Sequence, residues 1–535
     1  MNESPSTPGS PRLPTITRFI RWLFSRSLLG CALVGLSGLI TLLALVCTEE
    51  NWRGKRAWER YKHELEAQGE KLEWNDYVPP QVPDQQNFAM TPFLAPLFEF
   101  NPSPRQLGQS LWRDTNGYNR ISSLLEHLGT SEQATTDRNQ SRTSQRMTDL
   151  KGWAAALTGK TNQAPAAPSL TRAEAAAEVL RALEKFNPIV EELRSASQRP
   201  YSRFKIRYQD DFAPGILLPH LAPLKSAAFL FQLRACAELA LDQTDQAWSD
   251  TRMALYLADA LKDEPFLISK LVRVAIVQLS LQPIWEGLAE LKWSDAQLLE
   301  IEQRLGKIDL VTDAAMRGER ALGLRTIEQS RSLGVMSQDS SIRHPVLTSL
   351  LLGGFFYQNA GSLARMYQQF LVTPVDAANQ RIYPSRAIAN DAAMTKAVVG
   401  GFRPYNIFAQ ILLPAVARAE TKFAFCQTRV NEAIVACALE RYRLAQGQFP
   451  ESLEALSARF LQKLPHDVIT GAPLIYHRSP DGQFILYSVG WNEKDDGGTV
   501  VMTQSNQPSA DLTEGDWVWQ YSTPTVTLVR NTARD

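Results

Sequence analysis

The sequence predicts a mainly α protein with one N-terminal transmembrane helix, an irregular helical ectodomain built on an αα-hairpin, and a small C-terminal α+β domain. Three observations carry this: 20 consecutive residues without a charge at 28–47, helical spacing of apolar residues between about 170 and 420, and turn-separated short strands after 447. With 535 residues, two to four structural units are expected. The 56 Lys and Arg balance 56 Asp and Glu, and no basic block breaks that balance, which argues against a nucleic-acid surface. Five Cys are too few for a disulfide scaffold, and 29 Gly with 31 Pro exclude a fibrous or wholly disordered chain.

The stretch LLGCALVGLSGLITLLALVC at 28–47 would be about 30 Å long as a helix, the thickness of a bilayer core. Arg21 and Arg26 precede it, Glu49 and Glu50 follow, and Trp22 stands at headgroup level. A soluble core helix of that length would normally keep a polar face. A cleaved signal peptide would need a small-x-small site, and Leu45-Val46-Cys47 makes a poor one. Leu28-Leu29-Gly30-Cys31 resembles a lipoprotein box but lies at the wrong end of the apolar run. The segment therefore reads as a retained anchor. Arg12, Arg18, Arg21 and Arg26 on the leading side face Arg53, Lys55, Arg56, Arg60 and Lys62 on the other, so positive charge alone does not orient it. The acidic pair 49–50 and the ease with which long domains translocate place residues 1–27 in the cytoplasm and the bulk outside.

Residues 48–103 read as a charged juxtamembrane helix over 51–77, followed by an extended linker at the prolines of 78–83. Residues 104–169 form a partly disordered connector with polar stretches at 131–146 and 159–169. In the helical domain at 170–420, segments 173–185 and 189–197 are split by Asn187-Pro188. Segments 225–241 and 246–261 form a hairpin that resembles a single tetratricopeptide-type pair, without a 34-residue repeat to extend it. Segments 266–281, 295–305 and 313–330 continue the pattern, while the apolar 346–357 is too short to span and reads as core. A long helix over 417–446 carries Phe423, Val430, Ile434, Cys437 and Leu444 on one face and stops at Gly447. Strands 474–477 and 484–489 flank the hairpin signal Asp481-Gly482. Cys236, Cys426 and Cys437 read as small core residues.

The residues Ala438-Leu439-Glu440-Arg441-Tyr442-Arg443-Leu444, Gly447, Phe449, Pro450, Leu464-Pro465-x-Asp467, Gly471, Pro473, Tyr476, Asp481-Gly482, Leu486-Tyr487-Ser488-Val489-Gly490, Asp495-Asp496-Gly497-Gly498 and Asp516-Trp517 recur in family order. On these, residues 425–519 resemble the globular head of the type II secretion major pseudopilin. The family's Gly-Phe-Thr-Leu-x-Glu cleavage motif is absent and almost four hundred residues separate the anchor from this region, so the resemblance is to the head and not to a polymerising pilin. The layout as a whole, including WRGKRAWERYKHELEAQGE and VPDQQNFAMTPF, resembles bacterial single-pass membrane proteins, which implies an inner-membrane anchor and a periplasmic bulk. The resemblance also implies an independently folding α+β domain over 421–525 and a calcium ion (Ca2+) held by Asp495, Asp496 and Asp516. On residue types alone, 492–498 reads as an ordinary polar turn.

Other motifs point to no reaction. Gly159-Lys160-Thr161 lacks the phosphate-loop glycine, having Ala154 in its place. His63, His127, His220, His344, His466 and His477 form no metal-ligand spacing, and the adjacent Asp210-Asp211 point apart. G-x-S-x-G, H-E-x-x-H and C-x-x-C are all missing. The expected function is an interaction or assembly module of the envelope, linked to a secretion or pilus-like system, with the membrane and other envelope proteins as partners and no nucleic acid. No catalytic residue is assigned. The alternative is a membrane-tethered hydrolase in the helical domain, which a deep pocket gathering His220, Asp210, Asp211 or His344 would favour.

Overall fold

The computed structural model describes residues 26–100, 112–129, 146–159, 170–209, 213–333, 345–399, 403–413, 416, 419–456, 459–503, 510–521 and 526–528. The connector stretches 131–145 and 160–169, Asp210, Asp211 and His344 lie outside them. About 65% of the structure is helix, so the mainly α expectation holds. In chain order the helices include α1 (Arg26–Ala67), α2 (Arg172–Leu183), α3 (Asn187–Ala196), α4 (Leu221–Ala240), α5 (Thr244–Asp259), α6 (Leu267–Ala289), α7 (Asp295–Leu305), α8 (Val311–Ala314), α9 (Pro345–Tyr367) and α10 (Ala419–Gln446). The chain forms two compact units, one of residues 1–67 with 327–361 and one of 68–326 with 362–535.

In the first unit, anchor and juxtamembrane helix are a single rod. No proline or glycine cluster interrupts residues 48–67, and Arg53–Glu50 (2.5 Å) and Lys62–Glu66 (3.9 Å) are one helical turn apart. The helix gives way just before Gly69, whose φ of +83° suits glycine. The expectation of helix up to residue 77 is therefore corrected to Ala67. Its apolar stretch is exposed from residue 30 to residue 46, with Leu42 and Leu43 at 59% and 53%. Gly30–Ala67 is long and apolar enough to cross a membrane. The second correction concerns 346–357. It belongs to the 23-residue α9, whose residues up to 361 group with α1 and not with the helical domain.

The second unit is built on the expected hairpin. Helices α4 and α5 turn at Asp242, which takes φ +60°, and Gln243 N–H closes on Glu238 O at 2.9 Å. Helix α6 packs across both and is apolar nearly all round, as a buried helix must be. Capping boxes start α2 (Thr171 with Glu174) and α7 (Ser294 with Gln297).

Strands β1 (Val375–Asp376) and β2 (Arg381–Ile382) form a small ribbon. Beyond α10 come β3 (Ile475–Arg478), β4 (Phe484–Ser488), β5 (Val500–Met502), β6 (Ala510–Gly515), β7 (Trp517–Trp519) and β8 (Val526–Leu528). One sheet is β3-β4-β7, antiparallel, with the hairpin turn at Gly482 (φ +80°). The other is β6-β5-β8, in which β5 and β8 run parallel.

A boundary at 420/421 separates no two cores. Helix α10 is buried along both of its long sides from Phe423 to Arg441, not on one face. On one side it meets α6, α7 and α8, where Gln427 Oε1 accepts Leu310 N–H at 2.8 Å. On the other it meets the strands, where Arg429 Nη1 donates to Val518 O at 2.5 Å and its guanidinium covers the Trp519 ring at 4.8 Å. The single apolar stripe read from the sequence missed this because small and polar residues, Ala433, Ala436 and Glu432, fill the remaining faces.

Candidate functional site

A cleft of about 720 Å³ opens in the second unit between α7, α10 and the segment 459–468. Its wall is set by one carboxylate. Asp467 Oδ1 accepts Ile469 N–H and Ser488 Oγ–H, both at 2.9 Å, and Oδ2 accepts Thr470 Oγ1–H at 3.2 Å. Gly471 N–H closes on Asp467 O at 2.8 Å, with Gly471 at φ +75°. Burial raises the Asp467 carboxyl above its ordinary value, while its hydrogen bonds pull against that. This knot is the Leu-Pro-x-Asp…Gly signature seen in the sequence, and it holds His466 against β2, where Nε2–H donates to Gln380 O at 3.2 Å.

The lining mixes Leu299, Leu305, Ile308, Ile434, Leu461 and Val468 with Glu302, Gln427, Asn431, Gln462 and His466. Within it lies Arg441, whose side chain is 10% exposed. Its Nε donates to Asp295 Oδ1 at 2.9 Å, and its Nη1 to Phe460 O at 3.0 Å and Glu302 Oε2 at 3.3 Å. Burial pushes the Glu302 carboxyl up and the Arg441 guanidinium pulls it down, with burial the stronger. Arg459, over the Phe460 ring at 5.2 Å, and Lys463 stand exposed at the rim. The cleft thus offers a mixed aliphatic and polar lining with two exposed cations, Arg459 and Lys463. Its lining includes no Ser, Thr or Cys to act as a nucleophile beside His466.

The expected calcium residues lie elsewhere, at the loop from Gly490 to Thr499. Asp516 gathers amides: Asp496 N–H at 3.1 Å, Gly498 N–H at 2.7 Å and Thr499 N–H at 3.3 Å. Asp495 Oδ1 accepts Tyr487 O–H at 3.0 Å and Gly497 N–H at 2.9 Å, and Asp496 Oδ2 accepts from Asn492 at 2.9 Å. Burial, with the Asp496 charge adding to it, pushes the Asp516 carboxyl up to about 6 against those amides. Among the described residues no three Asp, Glu, His or Cys side chains gather as a metal site. The loop is closed by amide and hydroxyl donors to these carboxylates.

His220 is a core residue. It is fully buried, stacked on Phe204 at 4.1 Å, and bonded through Nε2 to Glu264 Oε1 at 2.7 Å. His63 is paired with Glu66 on α1. The cleft residues Arg441, Glu302, Arg459 and Lys463 were not legible as a set, being spread over more than 160 positions. One signal existed: Arg441 interrupts the apolar run of α10 and needs a buried partner. No protein-family model, curated protein or solved structure matches the chain.

Proposed function

We propose that this protein is a single-pass, membrane-anchored envelope protein whose second unit binds an extended segment of a partner protein, as an interaction or assembly module of a secretion or pilus-like system. The cleft carries this reading. Its aliphatic lining residues suit the apolar side chains of an extended peptide, and Arg459 and Lys463 favour one with acidic flanks. The exposed apolar stretch of α1 supports membrane anchoring, and the acidic pair Glu49-Glu50 with the ease of translocating a long domain supports a cytoplasmic start with a periplasmic bulk. The β3–β4 hairpin and the Asp467 knot support the pseudopilin-head resemblance at 421–525. Calcium at Asp495, Asp496 and Asp516 rests on that resemblance alone, and no step is routed through it. The hydrolase alternative draws no support from a fully buried His220 or from a cleft without a nucleophile.

The test is fluorescence anisotropy of the full chain in detergent with labelled peptides, one apolar with acidic flanks and one with the same apolar residues and basic flanks. The acidic peptide should bind, and Arg459→Glu with Lys463→Glu should weaken it at least tenfold, about 1.4 kcal/mol. Equal binding of both peptides, or unchanged binding by the double variant, would remove the cleft from the proposal.

A further inference from the structure

Beyond its apolar stretch, α1 has a covered side and an open one. Gly54 has so little room that an added Cβ would lie 3.0 Å from Gly354 O of α9, and Asn51 Oδ1 accepts the Gly354 N–H. On that side Asn51, Gly54, Trp58, Tyr61 and Leu65 are buried or half-buried. Trp52 precedes Gly54 by two residues and so lies about 200° round the helix from it. There the surface is open: Trp52 is 62% exposed, and Lys55, Arg56 and Arg60 are exposed as well.

The charge on the open side is not cancelled within the chain. Arg53 takes the two carboxylates nearest the apolar stretch, Glu50 at 2.5 Å and Glu49 at 3.9 Å, and Lys62 takes Glu66. Among the described residues Lys55, Arg56 and Arg60 have no ion-pair partner, and the Arg56 guanidinium lies 5.4 Å from the centre of the Trp52 ring.

The rod sets the depth of these groups. Helix α1 runs unbroken from Arg26 to Ala67, so each residue after Cys47 rises about 1.5 Å further from the apolar stretch. A headgroup layer adds about 5–7.5 Å on each side of the hydrocarbon. With residues 28–47 in the bilayer, Trp52 stands at the outer margin of that layer, about 7.5 Å out, and Lys55 and Arg56 follow at about 12–13.5 Å. Side chains on a helix lean towards its N-terminus, which here is towards the bilayer. The long stems of Lys55 and Arg56 thus carry their charges back to the phosphates. Glu59 and Arg60, about 18–19.5 Å out, lie beyond that reach.

We infer that Lys55 and Arg56, with the Trp52 ring beneath them, form a headgroup site that takes the phosphate of an anionic phospholipid on the side of α1 that α9 leaves open. The two unpaired cations complement that phosphate. The site also continues the surface of the apolar stretch, where Leu45, two turns before Trp52 and on its side of the helix, is 63% exposed. This inference rests on α1 being the anchor.

The test is native mass spectrometry of the detergent-solubilised full chain titrated with phosphatidylglycerol or with phosphatidylcholine of the same acyl chains. Lys55→Gln with Arg56→Gln should lower the preference for phosphatidylglycerol by about fivefold or more, equivalent to about 1 kcal/mol. Arg60→Gln, one turn further out, should leave it unchanged. The arginines of residues 12–26 act alike in every variant, so the loss on substitution carries the result. An unchanged preference in the double variant, or an equal loss from Arg60→Gln, disproves the headgroup site while the anchor stands. Displacement of phosphatidylglycerol by soluble glycerophosphate would assign the site to a free phosphate and overturn lipid as its occupant. A chain that stays monodisperse after removal of detergent would overturn the anchor and the inference together.

Discussion

At Asp250 on α5 two arginines converge: Arg194 of α3 reaches Oδ1, and Arg234 Nε of α4 reaches Oδ2 at 2.8 Å. Glu238, one turn along α4 from Arg234, is left with a long contact of 3.5 Å to Arg234 on Oε1, and its Oε2 has no partner among the described residues. Burial and the neighbouring Asp250 charge push its carboxyl up to about 8. The folded chain thus holds this proton more tightly than the unfolded chain, whose carboxyl titrates near its ordinary value. Its contribution to stability is complete below about pH 4.5 and drains away as pH climbs towards about 8. Glu238→Gln keeps the neutral shape at every pH. Its melting temperature relative to wild type should rise steadily between about pH 5 and about pH 8, and a gap independent of pH would show that Glu238 is ionised throughout.

Among the elements, the loop at 490–499 is shaped by glycines and held by its carboxylates. The turn residues Gly490, Gly497 and Gly498 all take positive φ, as their type allows, so the loop's course was legible in the sequence. The use of its carboxylates was not, because an Asp in a Gly-rich turn serves backbone amides as readily as a cation. Asp516 holds three residues of that loop, Asp496, Gly498 and Thr499, through N–H bonds. Asp516→Ala should therefore lower stability by about 1–3 kcal/mol, the cost of buried donors left unpaired. Melting curves of the wild-type chain should superimpose in chelator and in millimolar calcium. A calcium-dependent rise abolished by Asp496→Asn would instead establish the ion.

On the scale of the whole molecule, α10 decides what can be separated. Expressed alone, residues 420–520 should fail to melt cooperatively, since Cys426, Gln427 and Arg441 would lose Val274, Leu310 and Glu302. A sharp transition from that fragment would restore an independent domain. The helical hairpin, the β3–β4 hairpin and the apolar segment at 28–47 were legible because each has its own period or turn chemistry. The cleft and the burial of α10 were not, because they depend on residues from distant elements meeting, and a lone chain carries no mark of which faces will meet.

That burial also imposes an order of events in time. Helices α6 and α7 expose the faces meant for α10 until residue 446 has been made. At ordinary synthesis rates the interval between residues 305 and 446 is about 7–28 s. Throughout it the nascent second unit presents an apolar trench with no lid of its own, so a chaperone that shields emerging chains has its natural client in α6 and α7, and a ribosome stalled shortly before residue 419 would release a product bound for proteolysis.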